Sequence, residues 1–351
     1  MTHVFVAPHP DDVALSCGGL IASLRELGQA VTIVTVFSGG ADADPAGTAR
    51  TSTGFGTKTL WPLTEAFDRG NIAPDHPDDA VPAWLADPAR LAATQERANT
   101  QARQFWQRAS WTRTANVTNV ATEDRPLADV TSGQGTLVRT DLASADDLAT
   151  RRAEDERYAW FMEASLVDLG LPDASFRGYQ GDDQLLGVPR DDDEAPVALL
   201  RREILRLEPQ QVYFPLGIGG HVDHVLCRDV ALALLAEPRG WVMPTPDLAG
   251  VMSFYEDLPY AWWHDFHGLG DLPPALGSLP ADMVLEARYA DISDVLERKA
   301  AGISVYGTQV PRLFGDDQRM LDDLAGYARR VAYAGGVGTG SAERYWGVVR
   351  S

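Results

Sequence analysis

His3 to Ala7 is a short apolar run, and from Asp12 to Leu27 apolar residues recur at helical spacing until Gly28, where a helix can stop. Ala30 to Phe37 follows as a strongly β-branched run. Strand, helix and buried strand in this order predict a βαβ unit, because parallel neighbours need a crossover between them. Farther along, the spacing predicts helices over about Ala143 to Leu169, Ala195 to Leu207, His221 to Leu235 and Ile292 to Tyr306. Strands are expected over Gln211 to Leu216, Val251 to Tyr255 and Met283 to Tyr289. The expected fold class is α/β: a Rossmann-like open, mostly parallel sheet with helices on both faces.

Between the second strand and residue 142 the pattern weakens, with Gly, Pro, Thr and Asp scattered among short helical stretches such as Leu91 to Arg108. Structureless loops beyond about 12–15 residues are uncommon in compact domains, so residues 41 to 142 are read as a large insertion, a lid or subdomain on a single domain of residues 1–351. The acidic run Asp191-Asp192-Asp193-Glu194 reads as the solvated start of a helix.

With 351 residues and 45% hydrophobic content, the chain can fill a substantial core. Its 30 Lys and Arg stand against 50 Asp and Glu, and a net charge of -20 disfavours nucleic acid or an anionic membrane as partner. Two cysteines, Cys17 and Cys227, are too few for a disulfide framework and lie in apolar helical runs, so they are read as packing residues in a cytoplasmic protein. Thr2 to Pro8 lacks the basic and apolar regions of a signal peptide, and no window has the roughly 18 apolar residues of a membrane span. A homo-oligomer is compatible with all of this.

Chemistry concentrates at two strand ends. His9-Pro10-Asp11-Asp12 follows the first strand directly, and His221-Val222-Asp223-His224 follows the strand ending at Leu216. Ligands of open α/β sheets bind outside the carboxyl ends of the strands. Two His and one carboxylate drawn from separate strand ends match a catalytic zinc site with three protein ligands and an open position for water. Taken singly, each motif is equally well a helix cap or a satisfied polar histidine. A second copy, His76-Pro77-Asp78-Asp79, follows no buried strand and is read as a surface turn.

With these motifs in view, the chain resembles the PIG-L/LmbE-like family of zinc-dependent N-deacetylases, which includes the N-acetylglucosaminyl-phosphatidylinositol de-N-acetylases. PHPDDVALSCGG at 8 to 19 and GIGGHVDH at 217 to 224 carry the resemblance, supported by RRAEDERYAW at 151 to 160, FYEDLPYAWW at 254 to 263, RKAAGISVYGTQ at 298 to 309 and AERYWG at 342 to 347. Two departures are Val13, where the family often has Glu, and HVDH in place of the commoner HPDH.

The resemblance implies a zinc-activated water, another divalent metal being a substitute, that removes an N-acetyl or similar acyl group from an amino sugar conjugate. It makes His9, Asp12 and His224 the metal ligands and Asp11 the general base. It has His221 polarise the tetrahedral intermediate and Asp223 orient His221. Arg151, Arg152, Tyr255, Lys299 and Tyr306 are implied substrate contacts, with Glu256, Asp257, Tyr260 and Gln309 as further pocket candidates. From the residues alone, these are equally well a solvated helix face and packing aromatics.

Two other classes use similar residues. A non-haem iron oxygenase also uses two histidines and one carboxylate, but the βαβ pattern and the extra Asp11 speak against it. A catalytically silent metal-binding module needs neither Asp11 nor His221. Nucleotide binding is disfavoured because Cys17-Gly18-Gly19 gives no G-x-G-x-x-G turn.

Overall fold

Val4, Phe5, Val6 and Ala7 are fully buried in β1 (Thr2–Ala7), so this strand is covered on both faces, as a central parallel strand must be. Burying a Val or Phe side chain is worth about 1.5–3 kcal/mol, which makes β1 the anchor of the sheet. The computed structural model describes residues 1–40, 50–52, 145–191, 193, 195–237, 249–337 and 340–351. By its contacts the chain divides into Met1–Gly54 with Thr136–Ser351 and, separately, Phe55–Gly135; every described residue belongs to the first unit. Most of the expected insertion at 41 to 142, the helical stretch Leu91 to Arg108 and the second copy His76-Pro77-Asp78-Asp79 lie outside the described residues.

The remaining strands are β2 (Ala30–Gly39), β3 (Arg50–Ser52), β4 (Ser165–Pro172), β5 (Gln211–Pro215), β6 (Met252–Tyr255), β7 (Met283–Asp291) and β8 (Ala342–Arg350). They form an eight-stranded sheet in the order β3-β4-β2-β1-β5-β6-β8-β7. β4, β2, β1, β5 and β6 are mutually parallel; β3 and β8 pair antiparallel with their neighbours. The mostly parallel α/β sheet expected from the pattern is therefore present, with antiparallel strands at its margins.

The longer helices are α1 (Asp12–Glu26), α2 (Ala145–Phe161), α3 (Ala195–Leu207), α4 (Val222–Ala236), α5 (Leu296–Ile303) and α6 (Asp317–Ala334). Crossovers that run leftward from β1 through β2 to β4 and rightward from β4 through β5 to β6 place their helices on opposite faces when all are right-handed. The contacts agree: α1 and α2 meet α5, whereas α3 meets α4. Because α1 lies between the sheet and α5, its backbone must approach other elements closely. A Cβ on Gly19 would stand 2.5 Å from Ile292.

Two elements differ from the pattern. The helix expected to run to Leu169 stops at Phe161, and Ser165–Pro172 is a parallel strand against β2. The stop is a Schellman turn: the Glu163 N–H donates to Trp160 and the Ala164 N–H to Ala159, with Glu163 at φ 57. Glycine normally marks this position, and here a glutamate takes it. The chain then ends in α6 and β8, neither of which the periodicity had separated from the surrounding sequence.

Candidate active site

In chain order the parallel strands run third, second, first, fourth, fifth, so the sheet order reverses between β1 and β5. Open α/β sheets form a crevice at such a point, at the carboxyl ends of the two strands. His9 to Asp12 leave β1 there, and His221 to His224 leave β5. The three imidazoles meet, with ring centroids 4.9 Å apart for His9 and His221 and 5.4 Å for both pairs involving His224. Two segments more than two hundred positions apart in the chain thus share one site.

The backbone is shaped to present these groups. Asp11 adopts φ 98, a region that costs a non-glycine residue about 1–3 kcal/mol and persists where the surroundings enforce it. Asp12 opens α1, and its Oδ2 accepts the His9 N–H at 2.7 Å. After β5, Gly217, Gly219 and Gly220 all have positive φ, and a Cβ on Gly219 would lie 2.5 Å from the Tyr260 ring. Only glycine fits there.

Each of two histidines is held from behind by a buried carboxylate. His9 Nε2 stands 2.9 Å from Asp223 Oδ2, and His224 Nδ1 stands 2.7 Å from Asp257 Oδ1. An ionised carboxylate only accepts, so these nitrogens carry the protons. The opposite nitrogens both face Asp12: its Oδ2 is 3.3 Å from His9 Nδ1 and 3.3 Å from His224 Nε2. Ligands about 2.0–2.1 Å from a tetrahedral cation stand about 3.3–3.4 Å apart, so the distance from Asp12 to each imidazole nitrogen, and the chemistry of the donors, suit a divalent metal. Donor atoms of His9, His221 and His224 also lie within 4.8 Å of one another, as do those of His9, Asp173 and Asp223.

Electrostatics separate the two neighbouring carboxylates. Burial, and then the Asp12 charge, push Asp11 up to about 8; its carboxylate makes no hydrogen bond among the described residues. Burial also opposes ionisation of Asp12, but His224 and His9 outweigh it and hold this carboxyl below its ordinary value. Burial disfavours charge on His9 as well, yet its bonds to Asp12 and Asp223 raise it to about 10. His221 is lowered to about 3, first by burial and then by the His9 charge, so its ring is neutral. The Asp223 N–H donates to His221 Nδ1 at 3.3 Å, which leaves the ring proton on Nε2.

Several expectations need correction. The Asp223 carboxylate orients His9 rather than His221; its other oxygen bonds are with the Ala174 N–H at 3.1 Å and Arg177 Nη2 at 2.6 Å. Tyr255 is buried and donates to the Val6 carbonyl at 2.8 Å, which uses its hydroxyl to tie β6 to β1. Lys299 is 1% exposed and donates to Glu343 Oε1 at 2.7 Å, while the Glu343 carboxylate also accepts the Gly19 and Leu20 N–H groups of α1. Tyr306 is likewise buried and donates to Asp155 at 2.7 Å. The polar group of each of these three side chains is thus engaged within the protein. Arg152 turns to the end of β2, donating to the Ser38 carbonyl at 2.9 Å, whereas Arg151 reaches the Pro10 carbonyl at 3.4 Å beside Asp11. Asp193, expected on a solvated helix start, is buried and grips Arg177 with both oxygens. Cys17 and Cys227 are buried and unpaired, in keeping with packing.

Known proteins share parts of this sequence and this fold. The PIG-L family, described as GlcNAc-PI de-N-acetylase, matches residues 4–58. A 2'-N-acetylparomamine deacetylase from Streptomyces fradiae is 28% identical over 334 residues, covering 94% of this chain and 78% of the relative. The chain is similar to the PIG-L family through residues 4–58, and to this deacetylase over most of its length. Among solved structures, the fold is shared with a teicoplanin-pathway deacetylase in complex with bog, at TM-score 0.55 and 19% identity over 100% of this chain and 99% of that one. It is also shared with the A40926 pseudoaglycone deacetylase Dbv21, at TM-score 0.52 and 19% identity over 99% and 97%.

Within the site, sequence reasoning missed Asp173, Arg177 and Asp193 and gave Asp257 no definite role. Asp173 follows β4 and places Oδ2 3.5 Å from His9 Nε2. Recognising β4 as a strand would have flagged it, since it occupies the same kind of strand end as His9. Arg177 stacks 4.6 Å from the Phe37 ring centroid while linking Asp193 to Asp223. No local motif announces such a link.

Proposed function

We propose that this chain is a divalent-metal-dependent N-deacetylase that acts on an N-acetylated amino sugar conjugate, with Zn2+ as its metal. The observation that carries this reading is the paired arrangement of His9 and His224, each with one nitrogen on a buried carboxylate and the other 3.3 Å from Asp12. His9 Nδ1, Asp12 and His224 Nε2 are the metal ligands, and Asp223 and Asp257 fix the two rings. A relative named 2'-N-acetylparomamine deacetylase supports an amino sugar as the acyl carrier. Two free cysteines suit a reducing compartment, and the cytoplasm is the proposed location. Among the described residues, no helix is long and apolar enough to cross a membrane.

A bound metal would polarise the amide carbonyl and acidify the attacking water. Asp11, basic because it is buried beside Asp12, accepts the water proton as the new C–O bond forms. It then delivers a proton to the sugar nitrogen as the C–N bond breaks, releasing acetate and a free amine. Neutral His221 donates its Nε2 proton in a hydrogen bond to the oxygen of the tetrahedral intermediate. Arg151, beside Pro10 and Asp11, is the proposed substrate contact nearest the base.

The test is to load the protein with zinc and screen N-acetylated paromamine and N-acetylglucosamine conjugates, measuring acetate and free amine. Asp11→Ala is expected to retain the metal and lose about 10²–10⁴-fold in turnover. His224→Ala is expected to lose the metal itself. Wild-type turnover by Asp11→Ala on an active substrate would refute the assignment of the base, and absence of hydrolysis across the screen would refute the substrate class.

A further inference from the structure

The short helix Tyr260–Trp263 begins three residues after Asp257, whose carboxylate holds both His224 and the Ile218 N–H. Tyr260 is therefore delivered to the crevice by the same segment that fixes a histidine there. Its ring lies across the Cα of Gly219, stands edge-on to His224 at 5.5 Å, and lies 6.5 Å from His221. Trp263 packs perpendicular to its other side at 5.6 Å. A ring wedged between a glycine backbone, two imidazoles and an indole has little freedom to turn.

The Tyr260 ring borders both imidazoles of the candidate site, 5.5 Å from His224 and 6.5 Å from His221. The side-chain charges that act most strongly on its hydroxyl are Asp12 and then Asp11, ahead of Asp257 and Asp223. Among the described residues this hydroxyl makes no hydrogen bond, unlike the phenols of Tyr255, Tyr306 and Tyr327, which all donate to fixed acceptors. A phenol is protonated at neutral pH and can donate. The cluster around Asp12 thus includes an unengaged O–H donor on a rigid mount.

We propose that Tyr260 is a catalytic residue of this site, donating its hydroxyl hydrogen to the oxygen that becomes negative when water adds to the amide carbon. It acts beside His221, so that the developing charge meets two donors from different connections, β5–α4 and β6–β7. The assignment rests on the deacetylase reading but adds a residue to it. Such donors matter because they point at charge that exists only in the transition state, and removing one costs about 10²–10³-fold in kcat.

Tyr260→Phe deletes the hydroxyl and keeps the ring on Gly219. Zinc content, turnover on the best substrate of the screen, and affinity for methylphosphonate, a tetrahedral oxyanion of acetyl size, are measured in both proteins. The expected result is unchanged zinc content and KM, kcat lower by about 10²–10³-fold, and at least tenfold weaker methylphosphonate binding. Equal kcat and equal methylphosphonate affinity in the two proteins would overturn the role of Tyr260 while leaving the deacetylase intact. A wild-type protein that neither hydrolyses an N-acetyl amino sugar nor binds methylphosphonate would overturn both.

Discussion

Replacing Asp257 by asparagine keeps the size of the side chain, removes one charge and introduces two N–H donors. The wild-type carboxylate is fully buried and accepts from His224 Nδ1 at 2.7 Å and from the Ile218 N–H at 3.0 Å. An amide cannot satisfy both. With its oxygen toward His224, the NH2 group faces the Ile218 N–H, and two buried donors confront each other. With its NH2 group toward His224, Nδ1 must become the acceptor and the ring proton moves to Nε2. That is the nitrogen 3.3 Å from Asp12, and a protonated nitrogen cannot ligate.

Loss of such an orienting partner typically weakens metal binding about 10–100-fold, equivalent to about 1.4–2.7 kcal/mol. The assay is competition for Zn2+ against a chromophoric chelator, with the melting temperature of the metal-free protein measured in parallel. Asp257→Asn is expected to bind zinc 10–100-fold more weakly while the metal-free protein still unfolds cooperatively. Zinc affinity equal to wild type would mean that His224 does not ligate with Asp257 behind it, and the proposed ligand set would fall.

Three other outcomes are expected. Below about pH 10 metal-free His9 is protonated, so zinc must displace a proton; calorimetry in buffers of different ionisation heats should show proton release on binding, and zinc uptake with no proton released would refute His9 as a ligand. The same raised value means that stability from the His9 pairing is fully present below its ordinary value of 6.5 and is lost as pH rises through about 10, which denaturant titrations of the metal-free protein can follow. Lys299→Met strands the buried Glu343 charge against α1 and should cost about 3–5 kcal/mol in denaturant unfolding. Tyr255→Phe should cost about 1 kcal/mol with kcat and KM unchanged; a large rise in KM would restore the pocket role denied to it by its bond to Val6.

Where the fold was legible, a local signal coincided with the structural need. α1 and α2 end in the same Schellman turn. At α1, Gly28 takes the left-handed position, with its N–H on Arg25 and that of Gln29 on Leu24, and the stop was readable. At α2, Glu163 takes it, and the expected helix ran through the turn into β4. Misreading that boundary hid a parallel strand, and with the strand went Asp173 at its end. Similarly, Asp193 looked like one more residue of an acidic surface run, because nothing nearby in sequence reveals that Arg177 needs a buried partner.

The same contrast runs through the site. His9, Asp11, Asp12, His221, Asp223 and His224 were readable because a ligand and its neighbour must leave the same strand end, which packs them into two tetrapeptides. The groups that orient the two rings face a different constraint: each must approach from behind the imidazole it holds. For His9 the group comes from the opposite motif, Asp223, and for His224 from the next strand's loop, Asp257. Asp223 therefore looked like a partner of His221 two residues away, although its carboxylate crosses the switch point to β1. That crossing has a mechanical consequence: the His9 and His221–His224 segments are joined by a hydrogen bond through Asp223. His9 and His224, the proposed ligands, are therefore each held by the protein's own bonds, to Asp223 and Asp257, and groups held in advance in this way lose little further freedom on binding a cation.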